Sequence, residues 1–258
     1  MSIDLRLGDC LEIMPTLEAQ SFDAIIADIP YGTTACSWDT VIPFAPMWEN
    51  LKRLAKPRAA IVLFGSQPFT SALIASNFEM FKYAWVWDKL QATDFANSHY
   101  RPMRATEDIS VFSLYDAAPA SLNKMNYFPQ GLVKSDKVKK RGALAAGLHM
   151  NITANNMLSK EHTYIQEFSN YPTNILKFPK DNSGEHPTQK PVALMEYLIK
   201  TYTNEGDTVL DFTMGSGSTL VAAVNTNRNG VGIELREDYY NIAQRRIAEA
   251  QAQLTLAL

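Results

Sequence analysis

The four residues Asp28-Ile29-Pro30-Tyr31 put a carboxylate, backbone carbonyls and an aromatic ring at one point of the chain. They follow Ala24-Ile25-Ile26-Ala27, an apolar run with the length and character of a buried strand. Pro30 cannot continue a hydrogen-bonded ladder, so the strand stops and its polar groups gather at the rim of a sheet. Asp28 can accept a hydrogen bond from an amino group, and the Ile29 carbonyl can accept the second N–H of that same group. Tyr31 offers a flat face to a heterocycle. Such a set suits the exocyclic amine of a nucleobase drawn out of its stack.

A second set lies near the other end of the chain. Thr208-Val209-Leu210 reads as a short strand ending at Asp211, and Phe212-Thr213-Met214-Gly215-Ser216-Gly217-Ser218-Thr219 opens a helix of small residues. Strand, Gly-x-Gly turn and helix make a nucleotide-type binding turn, because missing Cβ atoms let the backbone approach a ligand. A further strand, Gly230-Val231-Gly232-Ile233, ends at Glu234, 19 residues after Gly215. This architecture places a carboxylate for ribose hydroxyls there. The full G-x-G-x-x-G is missing, so a dinucleotide pyrophosphate is not favoured, while Asp211 can face a cationic group. Asp9, after the alternating Ile3, Leu5 and Leu7, belongs on the same rim; its competing role is to cap the helix that follows.

The elements that must position these residues alternate between strand and helix. Strands are expected at 3–7, 23–28, 59–64, 83–87, 109–112, 208–210 and 230–233. Helices are expected from Cys10 to Pro15, Pro46 to Lys56, Phe69 to Ala75, and after Pro191, with Val192, Met195, Leu198, Ile199 and Tyr202 on one face. The pattern predicts an α/β domain with a mostly parallel sheet. Gly32 through Asp39 reads as a loop able to fold over a substrate, and Cys36 within it as a bystander. From Leu90 to about Asn182 the periodicity degrades, and 115–180 reads as an insertion between the domain segments 1–114 and 181–258. Lys134, Lys137, Lys139, Lys140 and Arg141 cluster inside it and are candidates for phosphate contact, the alternative being a solvated loop.

The chain has 258 residues, 46% of them apolar, which suffices for one large domain with an insertion. No apolar run approaches a membrane span and no signal-like N-terminus is present, so the reading is a cytoplasmic protein with no membrane partner. Cys10 and Cys36 make no disulfide framework, the four histidines do not pair as ligands, and no metal is expected. The net charge of −3 argues mildly against nucleic acid, unless positive charge is concentrated locally as in 134–141.

Asp28-Ile29-Pro30-Tyr31 resembles the Asp-Pro-Pro-Tyr motif of amino-methyltransferases that use S-adenosylmethionine, with Ile29 in place of the first proline. Asp211 through Gly217 resembles that family's Asp-Pro-Phe-x-Gly-x-Gly, with Phe212 where the family has proline and Thr213 where it has phenylalanine. His186-Pro187-Thr188-Gln189-Lys190-Pro191 is similar to the segment preceding the cofactor strand. The order of these motifs resembles the beta arrangement of the DNA amino-methyltransferases (N6-adenine and N4-cytosine). That resemblance implies a doubly wound Rossmann-like fold with a mixed, mostly parallel seven-stranded sheet, a target-recognition insertion, and S-adenosylmethionine as cofactor. It assigns catalysis to Asp28, Ile29, Pro30 and Tyr31. To the cofactor it assigns His186, Thr188 and Lys190 at the methionine end, with Asp9, Asp211, Phe212, Thr213, Gly215, Gly217, Ser218 and Glu234. The implied reaction is site-specific methylation of adenine N6 in double-stranded DNA by base flipping; cytosine N4 methylation and a catalytically silent DNA-binding relative are the alternatives. A homodimer and a cognate restriction endonuclease are partners the resemblance allows.

Overall fold

The computed structural model describes residues 1–32, 40–141, 162–181 and 189–256. Expectations about Cys36 and the loop 33–39, and about His186 and Thr188, lie outside the described residues. The chain runs β1 (Ile3–Leu7), α1 (Cys10–Ile13), a single 3-10 turn containing Pro15, β2 (Phe22–Ala27), α2 (Phe44–Leu54), β3 (Ala55–Gly65), α3 (Phe69–Ser76), β4 (Phe81–Thr93) and β5 (Arg104–Phe112). Then come β6 (Val133–Arg141), β7 (His162–Ser169), β8 (Ile175–Lys177), α4 (Val192–Tyr202), β9 (Thr208–Asp211), α5 (Ser218–Asn225), β10 (Asn229–Glu234) and α6 (Glu237–Leu256).

Two compact units result, Met1–Phe128 with Asn174–Leu258, and Pro129–Thr173. The larger holds an eight-stranded sheet in the order β1-β10-β9-β2-β3-β5-β4-β8. Only β5 runs against its neighbours, so the sheet is mixed and mostly parallel. Seven strands are expected from the sequence; the eighth is β8, three residues that add to the outer edge of β4. A strand that short carries no periodicity to read.

The central strands are apolar on both faces because helices cover both. Ile61 and Leu63 of β3 pack with Met47, Leu51 and Leu54 of α2 and Leu73 of α3, whereas Ala60, Val62 and Phe64 pack with Leu194, Met195, Leu198 and Ile199 of α4. This alternation along one strand is the period-two geometry of a pleat. Helices α5 and α6 pack through Leu220, Val221, Val224, Ala243 and Ile247. Among the described residues no helix is long and apolar enough to cross a membrane.

The smaller unit is an antiparallel pair, β6 with β7. The sequence reads this stretch as aperiodic, since neither strand has an apolar face to bury: Val133, Val138 and Ile165 are exposed. Lys134 and Lys137 are exposed on β6, while the side chains of Lys139, Lys140 and Arg141 lie outside the described part.

Candidate active site

Strands β9 and β2 lie side by side and parallel, with Ala24 opposite Val209 and Ile25 opposite Leu210. The chain leaves β9 through α5 toward β10 on one side of the sheet order and leaves β2 through α2 toward β3 on the other. Open α/β sheets bind ligands at such a switch point, beyond the carboxyl ends of the strands. A cavity of about 670 Å³ opens there, a size typical of small-molecule sites. It is lined by Asp28, Ile29, Pro30 and Tyr31 after β2, by Asp211, Phe212, Thr213 and Gly215 after β9, by Ser218 at the start of α5, and by Glu234 at the end of β10. Asp9 and Lys190 line it too. Two motifs 183 positions apart thus share one cavity.

At the Gly-rich turn, Glu234 Oε2 accepts the Gly215 N–H at 2.8 Å and Oε1 accepts the Arg236 N–H at 2.9 Å. Burial pushes its carboxyl above the ordinary range. A carboxylate has about four lone-pair sites, so capacity remains for ribose hydroxyls. Asp211 is buried, accepts Thr219 Oγ1 at 2.5 Å and the Thr213 N–H at 3.1 Å, and is pushed up to about 7, chiefly by burial. A buried carboxyl of this kind gains from a cation beside it. Gly215 takes a positive φ of 51° and brings backbone to the cavity wall. These residues fit an adenosine-bearing cation.

Gly217, expected at the cofactor, also meets a packing constraint. It does not border the cavity; its φ is +79°, and a Cβ there would lie 2.9 Å from the Cβ of Ala243. Its task is to let α5 start against α6. Asp9 accepts the Leu11 N–H at 2.8 Å and so caps α1, while still bordering the cavity. Cys10, beside it, is buried, and burial pushes its thiol up to about 12, which disfavours the thiolate.

At the catalytic motif, Tyr31 Oη donates to Asp28 Oδ1 at 2.6 Å, and Lys190 Nζ stands 2.7 Å from Asp28 Oδ2. The Tyr31 ring packs on Phe69 with centroids 5.2 Å apart. Lys190, which the resemblance assigns to the methionine end of the cofactor, thus borders the cavity with its ammonium against Asp28. Its ammonium also lies 3.0 Å from Glu107 Oε2, and Glu107 Oε1 lies 2.6 Å from Lys89 Nζ. The Phe64 and Trp87 rings lie 5.2 and 5.9 Å from Lys190 Nζ, within cation–π range. Burial raises the Asp28 carboxyl, opposed by Lys190 and reinforced by Glu107. Burial works against ionisation of Glu107 as well, yet Lys190 and Lys89 hold its carboxyl below the ordinary range. Lys190 is held above its ordinary range, since Asp28 and Glu107 outweigh the cost of burial.

Sequence reasoning missed Glu107, Lys89 and their neighbours Thr93, Arg104 and Thr106, all of which line the cavity. Glu107 sits in Arg104-Ala105-Thr106-Glu107-Asp108, which reads as a polar, solvated strand end; only the pairing of β5 with β4 places it inward. The hydroxyl of Thr213 also has a role that sequence left open, donating to the Asp28 carbonyl at 3.2 Å.

Comparison with known proteins agrees with this geometry. The chain resembles the solved M1.HpyAVI–SAM complex, with a TM-score of 0.58 and 26% identity over 95% of this chain and 98% of that one. The PvuII DNA methyltransferase (cytosine-N4-specific) shares the fold, with a TM-score of 0.68 at 14% identity over 98% of this chain and 93% of that one. The DNA adenine methyltransferase YhdJ of Escherichia coli (strain K12) is 38% identical over 93% of this chain and 81% of its own length. The type II methyltransferase M.HpaI of Haemophilus parainfluenzae is 28% identical over 95% of this chain and 74% of its own. A family profile described as DNA methylase matches residues 22–245. The chain belongs to the DNA methylase family and is a DNA methyltransferase.

Proposed function

We propose that this chain methylates the N6 amino group of adenine in double-stranded DNA with S-adenosylmethionine as donor. The observation that carries the reading is the single cavity joining Asp28 and Ile29 to Asp211, Gly215 and Glu234. Adenine is favoured over cytosine by the 38% identity with an adenine methyltransferase over nearly the whole chain.

In this reading Glu234 holds ribose hydroxyls, Asp211 faces the cationic end of the donor, and the Gly215 turn admits its backbone contacts. The bound donor supplies an electrophilic methyl group on a sulfonium. Adenine's amino nitrogen is a poor nucleophile because its lone pair is delocalised into the ring. Asp28 and the Ile29 carbonyl accept its two N–H groups, pull it toward tetrahedral geometry and expose that lone pair. The carboxylate then stabilises the positive charge that develops on nitrogen. Tyr31 lines the pocket and, through its hydroxyl, fixes the Asp28 rotamer. Thr213 ties the backbone of the catalytic motif to the cofactor turn, which supplies the orientation on which transfer depends.

The unit Pro129–Thr173, within the insertion read at 115–180, serves target recognition in this proposal, with Lys134 and Lys137 on phosphates. A companion endonuclease belongs to the same proposal, supported by the type II names of relatives; the homodimer in it rests on the family resemblance alone. The test is transfer of labelled methyl from S-adenosylmethionine to mixed-sequence duplex DNA, followed by digestion and mass identification of the nucleoside. N6-methyladenine is expected; N4-methylcytosine would overturn the base assignment.

A further inference from the structure

Four charges alternate in a row that ends at the catalytic carboxylate: Lys89, Glu107, Lys190, Asp28. Three parts of the fold supply them, the β4–β5 pair, the segment before α4 and the end of β2. The lysine side chains are 7% exposed and that of Glu107 15%. Buried ion pairs add little net stability, because desolvation offsets their attraction. What such a row does provide is a fixed direction and a fixed electrostatic potential at its end.

Asp28 needs that control. It sits in a cavity with the carboxyls of Asp211 and Glu234, and a protonated Asp28 would turn one acceptor into a donor, the wrong partner for an amine. Lys190 guards against this by keeping the carboxylate charged. An ammonium given wholly to Asp28, however, would draw electron density from the oxygen that must accept the amine. Glu107 approaches the same ammonium from β5 and takes part of its charge, and Lys89 in turn draws on Glu107.

We propose that Glu107 is a positioning residue for methyl transfer, acting through Lys190 to set the charge that Asp28 presents to the incoming amine. This rests on Asp28 being the amine acceptor. Among the described residues, the charged and titratable groups facing Asp28 are Lys190, Tyr31, Glu107 and Asp211; Lys89 and Lys180 act on the Lys190–Glu107 pair. Each sign follows from charge alone. Removing the negative charge of Glu107 lets Asp28 remain ionised to lower pH. Removing the positive charge of Lys89 makes it take up a proton at higher pH.

The experiment is the pH profile of kcat on saturating duplex DNA and S-adenosylmethionine for the full chain, Glu107→Gln, Lys89→Met and Asp28→Ala. Cofactor binding is followed in parallel by calorimetry. The acid limb of kcat reports ionisation in the bound complex. We expect it to move down by about one pH unit in Glu107→Gln and up by a similar amount in Lys89→Met, as nearby charges of this kind do. A uniform fall in kcat with the limb unmoved in both variants would make the row structural and overturn the proposal, as would shifts of reversed sign. Should one variant fail to fold, the sign in the other decides. Full activity in Asp28→Ala would instead overturn the amine-acceptor reading on which the proposal stands.

Discussion

Thr213 Oγ1 donates a hydrogen bond to the backbone carbonyl of Asp28 at 3.2 Å, so the turn proposed to read the cofactor and the motif proposed to grip the amine are tied across adjacent strands. The family motif has phenylalanine where this chain has Thr213, and the hydroxyl gives the replacement a use. Thr213→Val keeps the shape and removes the bond. A hydrogen bond of this kind contributes roughly 0.5–1.5 kcal/mol. Steady-state kinetics should show kcat reduced by about two- to tenfold with cofactor affinity little changed. An effect confined to cofactor affinity would contradict the tie.

Glu234 accepts the Gly215 and Arg236 N–H groups and is proposed to hold ribose hydroxyls with its remaining acceptor sites. Hydrogen bonds to a charged group are each worth about 1.5–3 kcal/mol, so Glu234→Ala should weaken S-adenosylmethionine binding on the order of tenfold or more. Calorimetric titration checks this. At saturating cofactor the variant should recover most of its kcat.

Asp211 predicts a pH dependence of stability. Its carboxyl is raised in the folded protein from an ordinary 3.8 to about 7. The folded state therefore binds the extra proton between those values, and stability from this group is fully present below the lower and lost as pH rises through the upper. Urea unfolding at pH 5 and pH 7.5 should show a smaller fall for Asp211→Asn than for the unaltered chain. Equal falls would place the proton elsewhere.

Gly217 sits at φ +79° with Ala243 close above it. A left-handed conformation costs a non-glycine residue about 1–3 kcal/mol, and the approach to Ala243 adds to that. Gly217→Ala should lower Tm by several degrees, about 2–4 °C per kcal/mol for a chain of this size. Differential scanning calorimetry reads the change.

Lys134 and Lys137 are exposed on β6. If they meet phosphates, Lys134→Ala with Lys137→Ala should weaken DNA binding similarly for all sequences. The slope of log affinity against log salt should fall by about one per lysine. An unchanged slope would remove this strand from the proposed DNA contact.

The central strands were legible because both their faces are buried: Ala24 to Ala27, Ala59 to Phe64 and Val209 to Leu210 are continuous apolar runs, and they lead to Asp28, Ser66 and Asp211 at the cavity. Asp28, Asp211 and Glu234 could be placed on one rim for that reason. The Lys89–Glu107–Lys190 row could not be, since Glu107 and Lys190 lie 83 positions apart and a buried carboxylate in a strand looks like an exposed one. Arg246 was hidden in the same way: from α6 it donates to the Ser216 carbonyl at 2.6 Å and to Ser216 Oγ at 2.9 Å. Pairings decided by packing between distant elements leave no periodic trace.

The most direct test of the central claim is single-turnover methyl transfer by Asp28→Ala alongside its affinity for S-adenosylmethionine. The account predicts no detectable N6-methyladenine, with cofactor affinity within about twofold of the unaltered chain, well under the tenfold that 1.4 kcal/mol represents. Transfer at near the original rate, or loss of cofactor binding in that variant, would contradict it.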